Sequence, residues 1–140
     1  MSLNFEEREA IVTYRLEKSQ KTIEQVNFNL PGKYWSLIAN RLYYAAYYAI
    51  SALLISKGYS SRTHDTTVRL FGLHFVKTGL CSVEQGKLYN KLLSLRMTGD
   101  YNDHYDLDES DVLPLVDSTI NLINDVSALA WKNIKEQKEG

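Results

Sequence analysis

Residues 34–56 read YWSLIANRLYYAAYYAISALLIS, and no charged side chain occurs between Leu42 and Ser56. Five alanines and one arginine, Arg41, lie within the stretch. Wound as a helix, it presents apolar side chains around most of its circumference, the mark of a helix packed on most sides by others. The uncharged run is about 15 residues, whereas a membrane-spanning helix needs about 20. It is also rich in tyrosine, so the stretch reads as the buried centre of a helical bundle. Ala45, Ala46, Ala49 and Ala52 form a small-residue patch that lets a neighbouring helix approach closely.

The flanking sequence supplies the neighbours. Only two prolines and seven glycines occur, and no segment alternates with the period of two that a half-buried strand requires. A first helix is expected from about Asn4 to Asn29, with Asn4 as N-cap and Glu6 and Glu7 favoured by the helix dipole. Ile11, Tyr14, Leu16, Ile23, Val26 and Leu30 make its apolar stripe, and Leu30-Pro31-Gly32 ends it. The central helix is expected from about Lys33 to Lys57, stopped by Gly58. Thr63 or Ser61 then caps a third helix through about Lys77, its apolar content including Phe71, Leu73 and Phe75, and Thr78-Gly79 closes it. Ser82 with Gln85 is a capping-box pattern opening a fourth helix to about Met97. Thr98 to Leu107, TGDYNDHYDL, reads as a polar irregular loop. A final helix starts between Asp108 and Asp111, with Pro114 in its first turn, and runs past Val126 and Trp131 to a charged tail. The expected fold is all-α: one up-and-down bundle of four to five helices over 1–140, with an ordered core from about 5 to 136.

Composition narrows function mainly by exclusion. At 140 residues, 44% hydrophobic and 24% charged, the chain suits one globular domain. A net charge of −1 and a pI near 6.3 carry no global signature of binding to nucleic acid or to a membrane, so any polyanion contact must come from a local patch. The single cysteine, Cys81, cannot form an internal disulfide and reads as a small hydrophobe; with no signal peptide, a cytoplasmic protein without membrane association is expected. His64, His74 and His104 lie far apart, and neither a Glu-x-x-His nor a Cys-x-x-Cys spacing occurs. No Gly-Lys-Ser/Thr follows the scattered glycines. No metal or cofactor is therefore expected.

Arg41 draws attention because a guanidinium keeps its charge and inside a bundle needs a carboxylate or a ligand. Tyr44 and Tyr48 follow at three and seven residues, on the same helical face. Two placements suit Arg41: a helix rim, where it reaches solvent or an aspartate, or a polar cleft with Tyr44 and an acid from 98–107. Asp100 is the acid of choice. His64, in a first helical turn, is expected to be neutral, since the positive end of the dipole disfavours imidazolium; a ligand-facing role and an exposed capping-turn role both fit it. The pair His104-Tyr105 reads equally as a solvated part of the acidic loop.

At Asn40-Arg41-Leu42-Tyr43-Tyr44-Ala45 the sequence resembles the HEPN domains. His64 after the second helix, Phe75-Val-Lys-Thr-Gly79 and Arg96-Met-Thr-Gly-Asp100-Tyr101 fit the small single-domain branch of that family. The resemblance implies a four-to-five-helix bundle, often a homodimer, often encoded beside a minimal nucleotidyltransferase as a toxin–antitoxin pair. It also implies, for catalytic members, a metal-independent ribonuclease motif of Arg, four to six residues, then His. Arg96 is the matching arginine here, but His104 follows it after seven intervening residues. A literal match, Arg69 to His74, is expected about 0.4 times by chance in a chain of this composition. Within a helix it would set the two side chains about 140° apart.

Three readings follow from these residues. In the first, the protein is a HEPN homodimer of the toxin–antitoxin or defence type that binds a nucleotide or RNA beside a nucleotidyltransferase partner. Its site would be Arg41, Tyr44, His64, Arg96, Asp100 and Tyr101. In the second it is a ribonuclease, with His104 as general acid or base and Arg96 stabilising the phosphorane. In the third it is an interaction module in which Arg41, Asp100 and Arg96 form a structural ion-pair network.

Overall fold

The computed structural model of the protein describes residues 3–60, 62–104 and 106–140. In chain order the elements are α1 (Phe5–Asn29), α2 (Trp35–Ser56) and α3 (His64–Phe71), which runs into a π-helical turn (Gly72–Val76). Then come α4 (Val83–Tyr101), the single turn α5 (Glu109–Val112), a 3-10 turn (Leu113–Leu115) and α6 (Val116–Glu139). No strand occurs among the described residues. The fold is thus the expected all-α bundle, with five helices longer than one turn.

The apolar, alanine-rich sequence of α2 lets it sit at the centre, in contact with α1, α3, α4 and α6. Ala45, Ala46, Ala49 and Ala52 are fully buried. Helix α1 exploits that patch: its buried Ser19 donates from Oγ to the Ala45 carbonyl at 2.7 Å, a contact a larger α2 side chain would obstruct. The C-terminal end of α2 is tied down by polar groups. Asn133 Nδ2 donates to Ser56 Oγ at 3.0 Å and Gln137 Nε2 to the Ser56 carbonyl at 2.6 Å, supplying a partner that the helix itself lacks. Arg8 Nη2 donates to Gln137 Oε1 at 2.8 Å, so α1, α2 and α6 share one knot.

Helix starts follow the sequence signals. Asn4 with Glu7 and Ser82 with Gln85 form reciprocal capping boxes. Thr63 Oγ1 accepts from the Thr66 amide at 3.0 Å, so Thr63 is the α3 cap; Ser61 lies outside the described residues.

The departures have local causes. Helix α2 begins at Trp35 rather than Lys33, because Lys33 sits at φ 58 in the left-handed region. At Gly32, just before it, an added Cβ would collide with the Tyr34 ring. Helix α4 does not stop at Met97 but continues to Tyr101. Gly99 fails to break it because the glycine is used for close packing: a Cβ there would lie 3.1 Å from Leu107 Cδ1 and 3.3 Å from Ser36 Cβ. The segment after Gly72 is π-helical rather than α-helical. The final helix is divided, Pro114 falling in the 3-10 turn between α5 and α6. Tyr14, expected in the apolar stripe of the first helix, is 61% exposed, and Leu73 and Trp131, expected as apolar content of later helices, are also exposed.

Candidate functional site

The polar residues of α2 meet α4 and the start of α3 on one side of the bundle. Continuation of α4 through Tyr101 puts Asp100 one turn beyond Arg96, and Arg96 Nε donates to Asp100 Oδ2 at 3.3 Å. Arg96 Nη2 donates to the Tyr101 hydroxyl at 3.1 Å. The guanidinium, with its side chain only 11% exposed, lies 5.6 Å from the Tyr43 ring centre, 5.3 Å from that of Tyr44 and 5.5 Å from that of Tyr101. Such contacts are worth about 0.5–1 kcal/mol each where exposed and more where desolvated.

Arg41 and Asp100 meet only indirectly. Asn40 joins them: its Nδ2 donates to Asp100 Oδ2 at 2.9 Å, while its Oδ1 accepts from Arg41 Nε at 3.0 Å and Nη2 at 2.8 Å. Arg41 Nη1 donates to Gln25 Oε1 of α1 at 3.0 Å. Arg41 lies 5.4 Å from the Tyr44 ring centre and makes no ion pair among the described residues. Two guanidinium groups therefore meet one tyrosine ring, with Asp100 as the only carboxylate bonded into the group among the described residues.

His64, first residue of α3, packs against Tyr43, Tyr44 and Tyr47, its ring centre 4.7 Å from that of Tyr47. Its Nδ1 lies 2.5 Å from the Tyr43 hydroxyl. Burial holds the Tyr43 hydroxyl protonated, pushing its pKa up to about 12 against the opposing Tyr89 hydroxyl and then the Arg96 cation. A phenol that donates to Nδ1 leaves the proton of neutral His64 on Nε2. Burial, then the Arg96 charge, lowers the His64 pKa; Asp65 opposes them. In that tautomer His64 offers an Nε2–H donor near the Arg96 cation.

His104 stands apart. It lies in the exposed turn after α4, its amide donating to Asn102 Oδ1 at 2.8 Å. No hydrogen bond or ring contact among the described residues joins its ring to Arg96; the shared neighbour is Tyr101, which lines the same groove as His104. Tyr105 is outside the described residues. His74 stacks on Tyr59, ring centres 4.1 Å apart. Cys81 is buried, and burial, with Asp125 adding to it, lifts its thiol to about 11, which fits an inert packing role.

Of the expected site residues, the structure brings together Arg41, Tyr44, His64, Arg96, Asp100 and Tyr101, and sequence reasoning missed Asn40, Tyr43, Tyr47 and Gln25. The first three were within reach, since Asn40, Tyr43 and Tyr47 recur at helical spacing around Tyr44. Gln25 was not, because nothing in α1 signals which turn faces Arg41.

A profile of the HEPN domain matches residues 12–130. The chain belongs to the HEPN family. A UPF0332 protein of Thermotoga maritima is 35% identical over 106 residues, 76% of this chain and 80% of the relative. Two proteins of Methanocaldococcus jannaschii, both provisionally named toxins, are each 28% identical. One match covers 62% of this chain and 59% of that relative, the other 71% and 73%. In this HEPN chain, no cluster of three or more His, Cys, Asp or Glu suited to a metal occurs among the described residues. No helix among them is long and apolar enough to cross a membrane.

Proposed function

We propose that this HEPN protein belongs to a toxin–antitoxin or defence system and binds a nucleotide or RNA at the Arg41–Tyr44–Arg96 cluster, as a homodimer partnered by a minimal nucleotidyltransferase. One observation carries the reading: two guanidinium groups flank the Tyr44 ring with a single bonded carboxylate among the described residues, Asp100. Each guanidinium keeps N–H groups beyond those used by Asn40, Gln25, Asp100 and Tyr101, suited to charge-assisted bonds to phosphate. His64 Nε2–H adds a neutral donor, and the tyrosine rings offer surfaces for a base. The provisional toxin names of the two archaeal relatives support the system assigned.

The test is Arg41→Gln with a fluorescent oligouridylate as probe. Arg41 stacks on one ring and has no ion pair among the described residues, so the variant is expected to keep its melting temperature within a few degrees while losing about tenfold in affinity, as removal of a charged hydrogen bond worth about 1.5–3 kcal/mol implies. Unchanged affinity, or a collapse of stability with no probe bound by the wild type, returns the cluster to a structural network.

A further inference from the structure

A second basic and aromatic surface adjoins the cluster on its α1 side. Tyr14, Lys18, Lys21 and Gln25 recur at spacings of four, three and four residues, one stripe of α1. With Arg41 of α2 they line an open groove of about 300 Å³. Three of its side chains are cationic, and none of the three has a carboxylate within ion-pair distance among the described residues. Glu17 is the one acid in the lining.

The cations are interleaved with rings. Lys18 Nζ lies 4.8 Å from the Tyr48 ring centre and 5.8 Å from that of Tyr14. Tyr48 lies 6.0 Å from Tyr44, centre to centre, and Tyr44 carries both arginines. A run of side chains therefore leads from Arg96 through Tyr44 and Tyr48 to Lys18 and Tyr14, with Arg41 common to cluster and groove.

We infer that the α1–α2 groove is a separate subsite for the backbone of a single-stranded polynucleotide whose terminal or reacting nucleotide occupies the Arg96 cluster. The inference rests on the proposed function and deepens it: the ligand is a strand, not a mononucleotide. Cations alternating with aromatic faces are what a flexible strand of phosphates and bases requires. An acidic peptide would use the lysines but leave Tyr14, 61% exposed, without a role.

The experiment compares a fluorescent oligouridylate with uridine 5′-monophosphate, the latter followed through the His64 ring protons by NMR. The Lys18→Gln/Lys21→Gln variant is expected to bind the oligouridylate about tenfold more weakly. It should also lose about 1.4 from the slope of log affinity against log salt, about 0.7 per phosphate contact. Its binding of the monophosphate is expected to match the wild type. An unchanged affinity and slope overturns the groove while leaving the cluster intact, as does an oligouridylate that binds no tighter than the monophosphate. If neither probe binds the wild type, the proposed function falls with it. Tighter, Lys18-dependent binding of a polyglutamate peptide overturns the strand in favour of an acidic protein partner.

Discussion

The Tyr43 hydroxyl lies 2.5 Å from Nδ1 of His64, and this contact decides what the histidine presents to solvent. A donor at Nδ1 keeps the ring neutral, with its proton on Nε2, so His64 suits binding an oxygen better than removing a proton. Tyr43→Phe deletes that donor while keeping the ring that Arg96 and Tyr89 pack against. The His64 pKa is expected to rise but stay below 6.5, since burial and Arg96 persist; an NMR titration of the ring reads it directly.

The same depressed pKa makes stability depend on pH. Unfolded His64 takes a proton as pH falls through about 6.5, whereas the folded ring resists until a lower pH. The unfolded state therefore binds more protons between the two values, and stability must fall as pH drops through that window. In melts from pH 7.5 to 5, His64→Gln is expected to decline less than the wild type. Parallel curves would show that His64 protonates as freely folded as unfolded.

Asn40 is the link between Arg41 and Asp100, and the link is measurable. In a double-mutant cycle, Arg41→Ala and Asp100→Ala are expected to couple by about 0.5–1 kcal/mol. In an Asn40→Ala background that coupling should vanish, because no direct Arg41–Asp100 bond remains to carry it. Coupling that survives would place the two charges in direct contact.

Gly99 permits a close approach between α4 and Ser36 of α2 near the site. Gly99→Leu is expected to cost about 1–3 kcal/mol by overpacking against Ser36 and Leu107. It should also weaken oligouridylate binding by displacing Asp100 from Asn40. Chemical denaturation and probe titration test the two effects separately.

Among the described residues, no hydrogen bond or ring contact joins the His104 ring to the cluster. His104→Ala is expected to leave oligouridylate affinity within about twofold, a change of about 0.4 kcal/mol. If the wild type cleaves RNA and this variant does not, His104 and Arg96 form a ribonuclease centre after all.

The helices were legible because their signals are local. Asn4 with Glu7, Ser82 with Gln85 and the left-handed Gly58 each mark an end within a few residues. The error at Met97 shows the limit of such signals. Thr98-Gly99-Asp100 carries the composition of a loop, but Gly99 is there to let α4 close on Ser36, and packing overrides its poor helix propensity. Tyr14 fails in the opposite sense: its spacing fits the apolar stripe of α1, yet the side chain faces outward over the groove.

By itself, the sequence determined an α-helical chain centred on residues 34–56, since an alanine-rich stretch with no charge from Leu42 to Ser56 needs neighbours on nearly every side. It also marked Arg41 as a charge needing an explanation. Only the tertiary structure decided that the explanation is Asn40 and Gln25 rather than Asp100, that the Tyr43 hydroxyl reaches Nδ1 of His64, and that Lys18 and Lys21 line a groove with Arg41. The Gln25–Arg41, Tyr43–His64 and Asn40–Asp100 contacts join residues 16, 21 and 60 positions apart. Helical periodicity fixes which face a side chain occupies, but the rotation and offset of one helix against another come from the packing of the whole core.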